Sequence, residues 1–292
     1  MIPKPPSHDM GEPLAALPVT QAPRTEELLS SWIGRHAEFY AVPPLAMLRH
    51  CLPEMSSLRS ADLDLNENQA FRLARIFSAD PTTIRHTTFA NIARSSGCLI
   101  ANEPGQSCSS CYPAPEPRLV LRSQLLGWRI TCTLCGGLLR RLGGRDRPSS
   151  FGHYHPTALI GERLLHDEAE REVRTWASPA KIARLLLMRR ARKPISRGFE
   201  PWRYRVFGAM VPDLDDVVER GSLPTSASPI LPLHLRPALL AGIAIVERSG
   251  PETLEMLRGQ MMGENKARFS SAIDEIISRT GRSSASSQLQ LI

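Results

Sequence analysis

From Thr25 onward, polar and apolar residues fall into a helical rhythm. In "TEELLSSWIGRHAEFY", Leu28, Leu29, Trp32, Ile33, His36, Phe39 and Tyr40 share one broad face. Thr25 is the expected N-cap, with Glu26 and Glu27 in the first turn. Pro43 and Pro44 stop this helix and open the next, "PLAMLRHCL". Between Asn68 and Ile92 the pattern predicts two more. Phe71, Leu73, Ala74, Ile76 and Phe77 form an apolar face, and Ser78-Ala79-Asp80 interrupts it. Asp80 then caps a helix Asp80–Ile92 with Pro81 at its first position. Ile84, Thr88 and Phe89 face back onto the first helix, while Arg85, His86 and Thr87 point outward. Two short helices around a tight polar turn make either a helix-turn-helix or an ordinary helical hairpin.

The texture changes from Cys98 to about Gly144, where Gly, Pro, Cys and short apolar runs suit strands and turns. Helical patterns return in "GERLLHDEAEREVRTWA", "PAKIARLLLMRRARK", "LRPALLAGIAIVERSG", "PETLEMLRGQMMG" and "KARFSSAIDEIISRT". Pro212–Pro232 reads as a long linker or loop. The expected organisation is a flexible, proline-rich leader (1–24), a helical, helix-turn-helix-like part (25–97), a zinc ribbon (98–145), a basic helical C-terminal domain (146–280) and a disordered tail (281–292). The fold class is mainly α with a small β insertion. Aromatics at 5% agree with a Leu-, Ile- and Ala-based helical core.

Net charge alters the functional picture. The chain carries +7 with Lys and Arg in clusters. Nine Lys or Arg stand between Lys181 and Arg205 against Glu200 alone, with Trp202 and Tyr204 interleaved. Seven arginines stand between Arg118 and Arg147 against Asp146 alone. A charge run is commonly a solvated helix face, but two such clusters flanking a candidate zinc ribbon, in a chain with a candidate helix-turn-helix, point to a polyanion, nucleic acid first. The candidate contacts are Arg85, His86, Arg118, Arg122, Arg140, Arg141, Lys181, Arg184, Arg189, Arg190, Arg192 and Lys193. No secretory signal is visible, and the longest apolar run, Ala238–Val246, is too short for a bilayer. A cytoplasmic protein without a membrane partner is expected.

In a reducing compartment the six cysteines suit metal better than disulfides. Cys108-x-x-Cys111 and Cys132-x-x-Cys135 are separated by twenty residues. Two such knuckles across a hairpin place four thiolates around one ion, and Gly136-Gly137 frees the backbone for the second turn. Four thiolates leave no open position, so one structural Zn2+ is expected at Cys108, Cys111, Cys132 and Cys135. Neither pair sits where a strand feeds a helix in a βαβ unit, as a thioredoxin-like redox pair would. Cys51 and Cys98 read as small buried hydrophobes, and His153 and His155 as a solvent-facing turn.

No catalytic constellation stands out. The chain has no Walker A sequence, no Gly-x-Ser-x-Gly elbow and no His-Glu-x-x-His pattern. "DLDDVVE" (Asp213–Glu219) suits helix-start carboxylates better than a two-metal nuclease site. A non-catalytic protein is expected.

These motifs, taken in order, resemble the TniQ family of transposon target-selection proteins, which includes TnsD-like members. The resemblance rests on "EELLSSWIGRHA", then "LARIFSADPTTIRHTTF", a first Cys-x-x-Cys and a Trp-Arg segment leading into a second knuckle, from about Thr25 to Leu142. Where the family's second knuckle usually reads Cys-Pro-x-His-Gly, this chain has "CTLCGG", so Cys135 stands for a histidine. The first knuckle reads "CSSC" where Cys-Pro-x-Cys is typical. Zinc accepts either ligand type, so both departures preserve a site.

The resemblance implies an adaptor of transposition that is not itself the transposase. Family members bind target DNA, or a CRISPR effector complex with its guide RNA. They help recruit an AAA+ ATPase (TnsC/TniB-like) that brings the transposase, and some act as homodimers. By the same resemblance, Asp80–Ile92 is a DNA-reading or partner-docking helix. The alternative is a zinc-containing DNA-binding transcription regulator.

Overall fold

A computed structural model describes residues 15–113, 119–142, 151–190, 206–211 and 229–288. The chain divides into two compact units, one of Met1–Asn91 and Pro115–Arg122, the other of Ile92–Ala114 and Ser123–Ile292.

The first unit holds α1 (Leu29–Phe39), α2 (Pro44–Cys51), α3 (Leu58–Asp64), α4 (Glu67–Ile76) and α5 (Pro81–His86). Trp32, Ile33, Leu48, Cys51, Leu52, Leu73, Phe77 and Ile84 form its core. Prolines open α2 and α5, as the sequence predicts, and Asp80 caps α5 through Thr82 N–H and Thr83 N–H. Asn66 and Gln69 form a reciprocal capping box on α4.

Four expectations change here. α1 starts at Leu29, not after Thr25: Glu26 takes a left-handed φ of 63°, and Leu28 at the N-cap gives no side-chain bond. α5 stops at His86 instead of Ile92. Thr87 Oγ1 donates to Ile84 O and Thr88 Oγ1 donates to Arg85 O, so side chains occupy carbonyls that a continuing helix would use. Thr87 is accordingly buried, not outward-facing, and Phe71, assigned to the inner face of α4, is 58% exposed.

Residues 17–24, expected to be part of a flexible leader, are tied down. Leu17 N–H donates to Ile76 O, Trp32 Nε1–H donates to Gln21 O, and Arg35 donates to Gln21 Oε1 and Ala22 O. Proline content predicts poor helix formation but says nothing of partners for the remaining backbone groups.

A short helix, α6 (Arg122–Leu125), occupies the stretch between the knuckles that was expected to run out and back as strand. The second unit joins the cysteine-bearing segments to α7 (His155–Arg171), α8 (Pro179–Leu186), α9 (Arg236–Ser249), α10 (Pro251–Gly259) and α11 (Gly263–Gln288). Its only sheet among the described residues is β1 (Gln106–Ser107) against β2 (Arg140–Arg141), antiparallel, with Gln106 opposite Arg141. The backbone of α11 runs on to Gln288, past the point where serine-rich composition predicts disorder.

α9 is buried on nearly every side and packs mainly on α7. The two backbones approach closely at Gly161, where a Cβ would lie 2.0 Å from Leu240 O. No described helix is long and apolar enough to cross a membrane.

Candidate metal centre

The first knuckle follows directly from β1, and Tyr112 N–H donates to Cys108 O to close its turn. The second is closed by a bridge between Thr131 and Leu138 and by Cys132 N–H donating to Gly137 O. Gly136 turns the chain with φ 72°, and its N–H donates to Cys132 O. Leu134 N–H points at Cys132 Sγ at 3.4 Å, a donor that favours a thiolate.

These turns bring the Sγ atoms of Cys108, Cys111, Cys132 and Cys135 within 4.8 Å of one another. Cys108 and Cys135 stand 3.5 Å apart, Cys132 and Cys111 3.9 Å. With Zn–S bonds of about 2.3 Å, a regular tetrahedron has sulfur–sulfur edges of about 3.8 Å. The donor set therefore suits a tetrahedral, thiophilic cation. It is the one group of three or more His, Cys, Asp or Glu with this proximity among the described residues.

Cys108 and Cys132 are buried with Leu139, Cys111 and Leu233 pack against them, and Cys135 is exposed. All four thiols are free of disulfides. Burial opposes ionisation of Cys108, but the backbone N–H of Cys111 and the Cys135 thiol bring it down to about 7. The Cys135 thiol, with burial, pushes Cys111 up to about 12, and burial raises Cys132. A bound cation would favour the thiolate form of these sulfurs against the burial that opposes it.

Two buried polar clamps hold the knuckles, and neither was anticipated from the sequence. Glu162 on α7 accepts from Ile130 N–H, Thr131 N–H and Thr131 Oγ1–H, immediately before Cys132. Arg236 at the start of α9 donates to Gln106 Oε1, two residues before Cys108, and to Leu231 O and Arg129 O. Burial lowers Arg236 to about 10, with the Glu162 charge acting the other way, so it stays cationic at neutral pH. In the sequence, Glu162 reads as a polar position on a helix and Arg236 as a helix start. Only their partners, 31 and 130 residues away, reveal the role.

The predicted nucleic-acid contacts fare unevenly. Arg122 is buried, with its guanidinium 5.4 Å from the Phe89 ring, and is withdrawn from any phosphate. Arg85 is held by Glu67 at 3.0 Å and Asn91 at 2.6 Å. Lys181 pairs with Glu275 at 2.7 Å. His86, Arg140, Arg141, Arg184 and Arg189 are exposed, and Arg190 is half-buried. Arg118, Arg192 and Lys193 lie outside the described residues, as do Asp213–Glu219 and most of the Pro212–Pro232 linker. Cys51 is fully buried, and burial pushes its thiol up to about 12. Half-buried Cys98 faces Ser95 O. His153 lies against Tyr154, and His155 opens α7.

Residues 18–129 match the family model for TniQ. The match takes in all five helices of the first unit and the first knuckle, and ends before Cys132. No curated protein and no solved structure matches the chain.

Proposed function

We propose that this chain, a TniQ-family protein by its residues 18–129, is a non-catalytic target-selection adaptor of transposition. It holds target DNA, or an RNA-guided effector complex, and recruits an AAA+ ATPase that brings the transposase. The observation that carries this reading is the TniQ match running into a four-thiolate cluster. Cys108, Cys111, Cys132 and Cys135 hold one structural Zn2+. The ion neutralises thiolates that otherwise repel one another and ties down a segment with a sheet of only two residues per strand.

The exposed basic residues Arg140, Arg141, Arg184 and Arg189 are the phosphate contacts in this reading. The α4–α5 pair, with Phe71, Arg75 and His86 exposed, serves as the DNA-reading or partner-docking element.

Two assays test it. The protein should capture a TnsC/TniB-like AAA+ ATPase, more strongly with target DNA; absence of any capture overturns the adaptor role in favour of a stand-alone DNA-binding regulator. Replacing Arg140, Arg141, Arg184 and Arg189 with Ala should weaken DNA binding and lower the salt slope by about 1 for each phosphate no longer neutralised. An unchanged slope removes those residues from the interface.

A further inference from the structure

We propose that Glu162 and Arg236 position the two cysteine knuckles from the helical bundle, so that metal binding and the packing of α7 on α9 are one linked equilibrium. This rests on the reading of the four cysteines as a metal site.

Glu162 grips the chain at Ile130 and Thr131, the residues leading into Cys132. Arg236 grips it at Gln106, just ahead of Cys108, and Gln106 Nε2–H in turn donates to Ser123 O and Leu126 O. Each knuckle thus hangs from its own helix, the second from α7 and the first from α9. Arg129 joins the clamps, its carbonyl accepting from Arg236 and its guanidinium lying 3.4 Å from Glu162. Leu233, three residues before Arg236, packs against the thiol cluster itself.

The separation of the clamps is set by the crossing of the two helices. Gly161, beside Glu162, meets Leu240, one turn on from Arg236. A change in that crossing moves one knuckle against the other, and a tetrahedral thiolate site tolerates little such movement. Conversely, closing four thiolates on an ion fixes the spacing of Glu162 and Arg236. Both side chains are almost wholly buried, so each depends on its backbone partners for compensation. The TniQ match ends at residue 129, before Cys132, Glu162 and Arg236. Glu162 and Arg236 stand on the C-terminal helices, so those helices carry both clamps.

The test uses the full chain. Zinc content and affinity are measured by competition with a chromophoric chelator for wild type, Glu162→Gln, Arg236→Lys and, as a control in the first unit, Asp62→Ala. Glu162→Gln and Arg236→Lys should each weaken zinc binding about 10- to 100-fold. They should also shift the ligand-field bands of the Co2+-loaded protein, while Asp62→Ala leaves both unchanged. Hydrogen exchange on wild type needs no variant: stripping the metal should speed exchange in α7 and α9 and leave α4 unaltered. If wild type binds one zinc while both variants keep its affinity and spectrum, or if α7 and α9 exchange unchanged after stripping, the linkage is overturned. If wild type binds no zinc, the metal reading itself has failed.

Discussion

Asp62 Oδ1 on α3 accepts a 2.9 Å hydrogen bond from Ser30 N–H in the first turn of α1, capping that helix from 32 residues away. Leu28, at the N-cap itself, cannot do so. Neighbouring Glu27 is committed elsewhere, buried and paired with Arg35 at 2.7 Å. Asp62→Ala should therefore cost about 1–2 kcal/mol in urea unfolding, because a cap and a buried bond both disappear. Asp62→Asn keeps the acceptor. Burial pushes Asp62 from 3.8 up to about 6, against the pull of Ser30 N–H, so the folded state binds this proton more tightly than the unfolded chain. Through this group wild type gains stability as pH falls from about 6 towards 3.8, and Asp62→Asn does not. The Asn variant should match or exceed wild type at pH 7 and lose that standing near pH 5. A destabilisation at pH 7 as large as that of Asp62→Ala refutes the cap.

His36 has the opposite sign. Its Nδ1–H donates to Trp32 O and its Nε2 accepts from Gln21 N–H, an arrangement available only to the neutral ring. Burial lowers its pKa below 6.5, with the Arg35 charge adding to the effect. The unfolded chain therefore takes up the proton first, and the stability this ring contributes is full above about 6.5 and declines as pH falls below it. Proteolysis of residues 17–24, which the Gln21 bond helps to hold, should rise between pH 7.5 and pH 5. In His36→Gln the rate should lose that pH dependence.

The close crossing at Gly161 makes a steric prediction. A Cβ there meets Leu240 O at 2.0 Å, against backbone that cannot swing aside. Gly161→Ala should cost about 3 kcal/mol or more in thermal unfolding. Gly152→Ala, where nothing lies within 4 Å, should be nearly silent. Equal effects at the two positions contradict the crossing.

Thiol titration tests whether the four clustered cysteines hold a metal apart from the other two. In the zinc-loaded protein a disulfide reagent should reach few thiols, and a chelator should release four at once. Cys51, fully buried and with its thiol held up at about 12, should stay silent until the protein unfolds. Cys108→Ser and Cys132→Ser should each abolish stoichiometric zinc and lower the melting temperature. Retention of one zinc per chain by either variant removes that residue from the site.

Much of this protein was legible in one dimension. Periodicity found α1 and α4, the Pro43-Pro44 pair found α2, the Asp-Pro step found the start of α5, and Cys-x-x-Cys spacing found the four thiols. Each of these signals is local, arising from the repeat of a helix, the fixed φ of proline or the reach of a knuckle turn. The sequence also located the basic clusters, but it could not separate exposed Arg189 from Arg122, which is buried over Phe89. Tertiary structure decided where the non-local hydrogen bonds go. It sent Asp62 to cap α1, drew residues 17–24 onto His36 and Trp32, and hung each knuckle from a buried charge on α7 or α9. A buried donor or acceptor must find a partner wherever the chain brings one, and sequence distance places no limit on that search.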